Sequence, residues 1–530
     1  MRHSQATRLT LPFLLAGMAL LAGTALAAVY RVGDAAALQS RAASLQPGDE
    51  LIASNGTYTL DHWTLQNISG TRTNWITIRG EGSPVIRGTG TGNNVIQFYN
   101  ANYIILSNFE VTTTADVSYG IDGVNFKSTS SSYIILDRLN IHGMGNNGVT
   151  IMVNASFITL RNSILASNST CGIYWGYPNS YVVHDVLVEN NYIHHCPTDP
   201  ASSTGYGIQF KGGCYRGRFV DNVLHDVGGT SRSGLIVYYG KTNPAGDVPD
   251  DMNIVRGNVL WNCRNEGITA MSDALIENNI VFDAVTGINL QTYTDELGGP
   301  NYVENLVVRN NTAFRCSSSC IAVPTSNWSS IGSNVCVVGN AAYRTNSSQT
   351  ALSGSGGTAR LASNVYYGVS GLASGASAGR GLADFRNVTA AALVPNLDFY
   401  PSTNSALTNK VFLLADMPER DFNGTLRPYG AAADAGAYEC TSTNNPGFVL
   451  QATNKPAITP AAPVIRFFAK AGTTNYNLTW PRTVKWTQVE FVRSLASTNW
   501  ISLAGPLYAT NTTVSPPAGA TNGFFRLRLE

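Results

Sequence analysis

Charge is scarce in this sequence, and its two signs nearly cancel. Charged residues make up 13% of the 530 residues, and 34 Lys and Arg stand against 33 Asp and Glu, for a formal net charge of +1. A protein without a strong field of one sign has no global attraction for nucleic acid or for an anionic membrane. We therefore expect no nucleic-acid partner, and any acidic ligand must be held by a local group of side chains.

Long apolar runs are absent once the N-terminus is passed. Arg2 and Arg8 precede an apolar run that extends from Leu9 to Ala22, and Ala25-Leu26-Ala27 offers a small-x-small cleavage site. This is the pattern of a secretory signal peptide, and the run is short for a membrane span. We predict a signal peptide at residues 1–27, no membrane span, and a mature protein that is secreted to the extracellular space, the periplasm or the cell surface.

Cys-x-x-Cys pairs are absent, so the cysteines do not indicate a thiolate zinc site. All eight cysteines lie in the predicted mature chain, where an oxidising compartment permits disulfides. Cys316 could pair with Cys320, and Cys171 could pair with Cys196. Buried free cysteines in stacked coils explain the same positions equally well, so the pairing stays open.

What the sequence has in abundance is a repeat. A Gly followed by alternating apolar and other residues recurs as GVNFK, GVTIM, GIYWG, GIQFK, GLIVY, GITAM and GINLQ between positions 123 and 291. A second motif places an Asn at 191, 222, 258, 279, 311 and 340. Short strands separated by loops of variable length indicate a solenoid, and stacked Asn amides hydrogen-bond along a column. The sequence predicts an all-β, right-handed parallel β-helix in which the Gly-led strands form one sheet.

Both ends of the predicted solenoid carry their own signals. DAAALQSRAASL predicts a helix that caps the open N-terminal edge, and DFNGTLRPYGAAADAGAYE resembles the closing motif of many bacterial secreted β-helices. A Thr/Asn/Pro-rich stretch and then strands such as NGFFRLRLE follow, as is typical of a small antiparallel β-sandwich. We predict a β-helix domain at 28–440, a linker at 441–463 and a C-terminal β module at 464–530.

The Gly-led strands also indicate a binding surface. Alternation along a strand sends apolar residues inward and the others outward, which gives two outward columns on successive coils. One column contains Asn125, Thr150, Tyr174, Gln209, Ile236, Thr269 and Asn289, and the other contains Lys127, Met152, Gly176, Lys211, Tyr238, Met271 and Gln291. Adjacent coils lie about 4.8 Å apart, so an extended polymer would place roughly one sugar on each coil. We predict an extracellular polysaccharide partner, bound by Asn125, Lys127, Tyr174, Gln209, Lys241, Asn289 and Gln291.

The outward columns contain Lys and Tyr but no carboxylate, which favours elimination over hydrolysis. A uronate lyase needs a base for the C5 proton, a positive group for the carboxylate and an acid for the leaving oxygen. Lys211 is the candidate base, Tyr238 the candidate proton donor or alternate base, and Arg232 or Arg264 the candidate carboxylate partner. We predict a polysaccharide lyase that cleaves a uronic-acid polysaccharide by β-elimination, although a Lys and a Tyr on a sheet are also common as solvated surface.

Two other classes of function stay open. A glycoside hydrolase needs two carboxylates about 5 to 9.5 Å apart, which Glu266 could provide together with Asp226, Asp250 or Asp251. A non-catalytic binding or surface protein would use the solenoid only as a scaffold. The products distinguish the three classes, because elimination leaves an unsaturated sugar, hydrolysis leaves only a reducing end, and a binder leaves the polymer intact.

Two further groups could bind a ligand or act in catalysis. The loop GDVPDD brings together Asp247, Asp250 and Asp251, whose oxygens suit calcium, although Asp, Pro and Gly are also ordinary turn residues. Calcium is therefore the candidate cofactor. The corner histidines His194, His195 and His225 could supply a base, but histidines at corners more often hydrogen-bond the backbone. We expect the protein to be a monomer.

PGDELIASNGTYTL and NWITIRGEGSPVIRG, within residues 46–88, resemble the first coils of secreted β-helix polysaccharide lyases, in particular the chondroitinase B and alginate lyase family. The resemblance implies the architecture, and it leaves the reaction open because epimerases and binding proteins of this fold are similar there. In that family the catalytic Arg lies in an Arg-His-Gly turn, which this sequence does not contain. The Asp-rich calcium strands of β-helix pectate lyases are also missing from the Gly-led strands. No catalytic residue is carried over, and the roles of Lys211 and Tyr238 rest on the columns.

Overall fold

The computed structural model of the protein describes most of the chain. It covers residues 27–529 except 115–116, 128–129, 178–179, 241–251, 292–301, 325–329, 355–356, 373–374, 391–396, 413–416, 457–466, 472–474, 480–486, 493–499, 508–510 and 518–523. The predicted signal peptide, except for its last residue, therefore lies outside the described residues. Among the described residues, no helix is both long enough and apolar enough to span a membrane.

The described strands between Val29 and Ala378 form three long parallel sheets, and the chain visits them in the order I, II, III in each coil. Sheet I contains Val29–Val32, Glu50–Ala53, Ile76–Gly80, Asn102–Ser107, Ser131–Asp137, Ala155–Arg161, Val183–Glu189, Tyr215–Val220, Asn253–Arg256, Ala274–Glu277, Leu306–Arg309, Val335–Val338 and Arg360–Ala362. Sheet II contains Thr57–Leu60, Val85–Gly88, Glu110–Thr113, Asn140–His142, Ile164–Ala166, Tyr192–Cys196, Val223–Val227, Val259–Trp261, Ile280–Phe282, Thr312–Phe314, Ala341–Tyr343, Asn364–Tyr367 and Ala376–Ala378. Sheet III contains Trp63–Gln66, Ile96–Tyr99, Val124–Phe126, Val149–Ile151, Ile173–Trp175, Ile208–Phe210, Leu235–Val237, Glu266–Ala270, Thr286–Leu290, Ser319–Ala322, Thr350–Ser353 and Val369–Ser370. The predicted parallel β-helix is confirmed.

The Gly-led motif is sheet III, and close coil stacking explains its glycine. A Cβ atom built on Gly148 would lie 2.7 Å from the carbonyl oxygen of Gly172, and one built on Gly172 would lie 2.7 Å from that of Gly207. No side chain fits at such a distance, so the coils of the Gly-led motif need glycine at this corner. The apolar residues of the motif fill the interior, where Phe98 stacks on Phe126 with ring centroids 4.9 Å apart.

The Asn column forms the corner between sheets I and II, as predicted. The side-chain amide of Asn191 donates to Oδ1 of Asn222, and the same bond, 2.9 to 3.0 Å long, repeats at each step up to Asn364. Each Oδ1 also accepts a backbone N–H from the coil below, as between Asn258 and Asn222 at 2.9 Å. The ladder is buried, so it satisfies backbone groups that water cannot reach.

The N-terminal cap is also confirmed. The helix Ala35–Ala42 begins at Asp34, whose carboxylate accepts the N–H of Ala37 at 2.8 Å. Its buried face joins Leu38 and Ala42 to the solenoid core. The helix thereby covers the first coil, which would otherwise expose its apolar interior to water.

The closing segment packs against the last coils of the solenoid. It contains the 3₁₀ helix Gly381–Asp384 and the antiparallel pair Phe385–Asn387 and Asp398–Pro401. Arg427 is buried and bonds Glu439, and its neighbour Asp434 accepts the backbone N–H of Asn409 at 2.7 Å. The predicted closing motif is thus held together around a buried guanidinium group.

Beyond Cys440 the chain returns along the solenoid, and it is described without a gap to residue 456. Leu450 is buried, the side-chain amide of Asn454 donates to the carbonyl of Asn190 at 2.6 Å, and Lys455 reaches Asp221 at 2.5 Å. The first part of the stretch predicted as a linker is therefore fixed to the surface of the coils.

The C-terminal module consists of two antiparallel three-stranded sheets. One contains Phe467–Ala471, Asn475–Thr479 and Asn511–Val514, and the other contains Thr487–Val492, Ile501–Leu507 and Phe524–Leu529. Leu478, Val489 and Leu527 form its small core, which agrees with the predicted sandwich-like module. A further two-stranded parallel pair, Tyr302–Val303 and Ser330–Ile331, lies within the solenoid region.

All eight cysteines are free thiols in this structure, and six of them are buried. Cys316 and Cys320 are hydrogen-bonded to each other rather than linked, and this bond, together with burial, raises the pKa of Cys316 well above its ordinary value. Of the two interpretations of the cysteines, the structure contains the buried free thiols.

Candidate functional site

A cavity of about 220 Å³ opens on the outer face of sheet III. It is lined by Thr170, Cys171, Tyr174, Thr204, Gly205, Tyr206, Gln209, Lys211, Arg232 and Tyr238. Five of these residues are predicted site residues, namely Tyr174, Gln209, Lys211, Arg232 and Tyr238. Among the described residues that line the cavity there is no carboxylate, which agrees with the composition of the outward columns.

Strand register brings the predicted residues together. Tyr174 pairs with Gln209, and Gln209 pairs with Ile236, on three consecutive strands of sheet III. Lys211 and Tyr238 each follow directly on the ends of two of these strands. Because the coils stack in register, residues about 30 positions apart in sequence become neighbours on one face.

Lys211 lies between two aromatic rings. Its Nζ atom is 5.1 Å from the ring centroid of Tyr238 and 5.6 Å from that of Tyr174. Lys211 is 9% exposed and Tyr238 is 2% exposed. A cation in this position is stabilised by the negative faces of both rings, and a primary amine and a phenol are held within reach of one bound group.

The hydroxyl of Tyr238 belongs to a small polar network. The Gln209 side-chain amide donates to the Tyr238 oxygen at 3.1 Å, and the hydroxyls of Tyr206 and Tyr238 are 3.4 Å apart. The phenol oxygen is the acceptor in the bond from Gln209, so that bond does not use the hydrogen of the phenol. The arrangement fixes the ring and the direction of its oxygen.

Two loops form the wall of the cavity on the side of sheet II. The backbone N–H of Thr230 donates to the carbonyl of Ser202 at 2.8 Å, and that of Gly229 donates to Gly205 at 3.0 Å. These bonds join the loop that ends at Tyr206 to the turn that carries Arg232. The sequence analysis did not identify Tyr206 as a site residue. A signal was present, because Tyr206 directly precedes the repeat glycine Gly207, just as Cys171 precedes Gly172, and both residues line the cavity.

Several outward positions are covered rather than solvated. Ile236, Met271 and Tyr238 are buried in a satellite apolar cluster with Tyr206 and Tyr239, outside the main core. The side chains of sheet III therefore alternate between the core and the outer face, as predicted. The outer face is covered in its middle by the neighbouring loops. This leaves a pocket where the columns predicted an open groove.

Arg264 does not line the cavity. One of its terminal nitrogens donates to the carbonyls of Pro197 and Gly228, each at 3.1 Å. This guanidinium group therefore joins the two loops that form the wall of the cavity. Of the two candidate carboxylate partners, Arg232 is the one at the cavity.

Glu266 is buried next to the cavity, on the strand after Tyr238. Ser233 donates its hydroxyl to Glu266 at 3.2 Å. Burial raises the pKa of Glu266 above its usual value, while Ser233, Arg232 and Asn289 act to lower it. A carboxyl group of this kind stays protonated to a higher pH than a solvated one and can act as an acid.

The remaining predicted residues lie apart from the cavity. Asn125 donates to the buried Asp122 carboxylate at 2.6 Å, and burial raises the pKa of Asp122. Lys127, Asn289 and Gln291 are half-buried, and they lie on coils that come before or after the coils of the cavity. Asp122 and Glu266 stand before the repeat glycine five coils apart, or about 24 Å at 4.8 Å per coil, which is too far for a hydrolase pair. Lys241, Asp247, Asp250 and Asp251 lie outside the described residues.

The corner histidines lie on sheet II and contact one another. His194 and His225 stack with ring centroids 5.2 Å apart, and His195 is edge-on to both. Burial and the neighbouring histidines lower the pKa of His194 to about 4. None of the three is among the residues that line the cavity.

Comparison with known proteins finds distant structural likeness. The chain is similar to an alginate lyase from Paenibacillus sp. str. FPU-7 at 18% identity, covering 58% of this chain and 99% of that one with a TM-score of 0.40. It is similar to the pectate lyase Pel9A at 16% identity, covering 78% and 96% with a TM-score of 0.43. It is also similar to the A-module of the Azotobacter vinelandii mannuronan C-5 epimerase AlgE6 at 13% identity, covering 66% and 97% with a TM-score of 0.45. No family model and no curated protein sequence matches. No residue role is taken from these proteins.

Proposed function

We propose that this protein is a secreted polysaccharide lyase that cleaves a uronic-acid polysaccharide by β-elimination. The observation that carries the proposal is the cavity on sheet III, which joins Lys211, Tyr238 and Arg232 and has no carboxylate among its described lining residues. Elimination at a uronate requires a base, an acid and a cation, and these three side chains supply one of each. Two of the three structural neighbours described above are lyases, but the proposal rests on the cavity.

The proposed roles follow from the geometry. Lys211, in its amine form, removes the C5 proton of the uronate, while the guanidinium group of Arg232 pairs with the sugar carboxylate. The electron pair of the C5–H bond forms the C4=C5 double bond, and the bond from C4 to the departing oxygen breaks. Tyr238 gives its phenol proton to that oxygen. In the alternate assignment Tyr238 acts as the phenolate and takes the C5 proton, and the ammonium group of Lys211 gives a proton to the departing oxygen. Gln209 orients the Tyr238 oxygen at 3.1 Å.

The polymer would lie along sheet III, with one sugar in the cavity. A cavity of about 220 Å³ is smaller than the roughly 300 to 1,000 Å³ of most ligand pockets, which suits one ring rather than several. Tyr174 stands at its edge as a stacking platform. Asn125, Lys127, Asn289, Gln291 and Lys241 would contact neighbouring sugars, and a calcium ion at Asp247, Asp250 and Asp251 would assist binding.

A glycoside hydrolase is the second candidate, and Glu266 favours it. This carboxyl is buried next to Arg232, and its pKa is raised, as a general acid requires. A hydrolase would still need a second carboxylate within about 9.5 Å. Asp226, Asp250 and Asp251 are the candidates for that role.

The test is a digestion of the purified mature protein against pectate, alginate, glycosaminoglycans and neutral glucans and xylans, with and without calcium. Ultraviolet absorbance of unsaturated products and new reducing ends are read in the same wells. Absorbance with new ends is the expected result. New ends without absorbance would replace elimination by hydrolysis at Glu266, and neither signal on any polymer would favour the non-catalytic binder.

A further inference from the structure

A second cluster of functional side chains lies on sheet II, away from the residues that line the cavity. His195 lies near the end of strand Tyr192–Cys196, and His225 and Asp226 lie near the end of the next strand of the sheet, Val223–Val227. One ligand atom from each of the three side chains can be chosen so that all lie within 4.8 Å of one another. Among the described residues, no other three His, Cys, Asp or Glu side chains come together in this way.

Ring stacking holds His225 in a fixed orientation. Its ring lies 5.2 Å from that of His194 on one side and 4.5 Å from that of Trp261 on the other, with interplanar angles of 5° and 15°. His225 is 8% exposed, whereas His195 is exposed to solvent. One side of the cluster is therefore rigid, and the other is open to an incoming ion.

Outer partners orient two of the three side chains. The hydroxyl of Tyr192 lies 2.6 Å from Nε2 of His225, and Nδ1 of His225 lies 2.5 Å from Oδ2 of Asp226. The amide of Asn262 donates to the other carboxylate oxygen of Asp226. In a metal site a ligating imidazole typically donates its other ring N–H to an outer partner, here from Nε2 of His225 to the Tyr192 oxygen, and a ligating carboxylate is itself hydrogen-bonded, here by the Asn262 amide.

We propose that His195, His225 and Asp226 bind one Zn²⁺ ion or a similar divalent transition ion. Two imidazole nitrogens and one carboxylate oxygen suit zinc, whereas calcium and magnesium prefer a shell of oxygens. Ligand atoms about 2.0 Å from a tetrahedral ion lie roughly 3.3 Å apart. His225 and Asp226 would thus separate slightly and His195 would move inward, leaving the fourth position to water.

The ion would join two successive coils just before the loops of the cavity wall. The strand with His195 continues through Cys196 into the loop that ends at Tyr206, and the strand with Asp226 continues into the turn that carries Arg232. The two loops already share backbone bonds. Metal binding would therefore fix the start of both loops and stabilise the folded chain.

The test uses the full mature chain after treatment with a chelator and removal of that chelator. Isothermal titration with ZnSO₄, and separately with CaCl₂, measures stoichiometry and affinity, and thermal unfolding is followed at rising zinc concentration. Titration with Co²⁺ adds a spectroscopic readout, because imidazole and carboxylate ligands give visible d–d bands without the charge-transfer band of a thiolate. We expect one zinc per chain, a Tm that rises with zinc and no thiolate band.

The variants are chosen for the backbone at each position. His195 and Asp226 have positive φ values of 53° and 51°, so we use His195→Asn and Asp226→Asn, because Asn tolerates this conformation. Each should weaken zinc binding on the order of 100-fold, and Tyr192→Phe should weaken it by about 10-fold to 100-fold. The matched control is His184→Asn, since His184 also contacts an adjacent carboxylate, that of Asp185 at 2.5 Å, but belongs to sheet I.

Zinc affinity in the control should equal that of the original protein. The proposal is overturned if the chelator-treated protein binds no zinc, if a thiolate band accompanies Co²⁺ binding, or if folded His195→Asn and Asp226→Asn proteins bind zinc as tightly as the control.

Discussion

At the scale of single residues, the environment of a side chain decides what it can do. Lys211 and Tyr238 are ordinary surface residue types, yet here the phenol is 2% exposed and the amine lies between two rings. Interactions inside a water-poor cavity are stronger than the same interactions at an open surface. The roles proposed for the two residues rest on this placement, and the Gln209 amide fixes the position of the phenol oxygen.

Replacement of the pair tests its role directly. Lys211→Ala and Tyr238→Phe should each lower kcat by about 10² to 10⁴, the usual contribution of a general acid or base. Initial rates on the polymer identified by the digestion panel provide the measurement, with circular dichroism to confirm folding.

The matched controls for this pair are Lys410→Ala and Tyr119→Phe. Tyr119 is 86% exposed and Lys410 lies in the closing segment, so neither should change the rate. Unchanged rates in folded Lys211→Ala and Tyr238→Phe proteins would remove both residues from the mechanism.

At the scale of elements, repeated interactions between coils hold the solenoid together. The Asn ladder satisfies buried backbone groups at one corner, and a cluster of charged side chains links three neighbouring strands of sheet I. In that cluster Glu277 is fully buried between Arg256 and Arg309, with Nε of Arg309 2.7 Å from its carboxylate. Both features link residues on three or more successive coils, so a single substitution disturbs several coils.

A substitution in the middle of the Asn ladder should lower the stability of the folded protein. Asn258→Ala removes an oxygen that accepts two N–H groups from Asn222 and an amide that donates to Phe219 at 2.8 Å. Several buried polar groups then lose their partners at about 1 to 3 kcal/mol each. We expect the free energy of unfolding to fall by about 4 kcal/mol in urea titrations. Asn444→Ala, at an exposed position, should leave it within about 0.5 kcal/mol.

The charged cluster predicts a loss of stability in acid. Burial alone would raise the pKa of Glu277, but Arg256 and Arg309 lower it from 4.5 to about 2. A carboxyl whose folded pKa lies below its unfolded pKa stabilises the fold above the unfolded value and loses that contribution as pH falls toward the folded value. The contribution is about 3 kcal/mol at neutral pH, and it should disappear between about pH 4.5 and pH 2.

Glu277→Gln measures this contribution. Urea unfolding of the original protein and the variant should differ most at pH 6 and converge as the pH approaches 2. Glu81→Gln serves as control, since Glu81 pairs with Arg31 at the surface and is half exposed. A difference that is independent of pH would mean that the charge of Glu277 does not stabilise the fold.

At the scale of the whole molecule, a helix covers the first coil of the solenoid and the returning chain is anchored to its side. The helix Ala35–Ala42 covers the first coil, and the closing segment covers part of sheet II near its end. Beyond it, Lys455 is buried and bonds Asp221 and the carbonyls of Gly257 and Phe422. This single ammonium group ties the closing segment and the tail to two coils.

Loss of this anchor should release the tail. Lys455→Met leaves the Asp221 carboxylate without its partner, which costs about 3 kcal/mol or more for a buried pair. Limited proteolysis should then cut the chain near residues 441–463 several times faster. The double variant with Asp221→Asn should recover part of the loss, because no unpaired charge remains. Equal cleavage rates in Lys455→Met and the original protein would show that the anchor does not hold the tail.

The sequence by itself determined the fold. The repeating glycine, the alternation along short strands and the Asn column together specify a parallel solenoid, because each coil can bury its apolar side only against the next. The same regular stacking made Lys211, Tyr174, Gln209 and Tyr238 predictable neighbours, since register follows from the repeat.

Only the tertiary structure decided what covers the outward face of sheet III. The wall formed by Tyr206 and the turn with Arg232, and the raised pKa of Glu266 beside that turn, depend on loops whose lengths break the repeat. Loops of irregular length are positioned by long-range bonds such as that between Thr230 and Ser202 at 2.8 Å. Local sequence contains no periodic signal for such bonds, so the pocket, unlike the column beneath it, could not be predicted from the sequence.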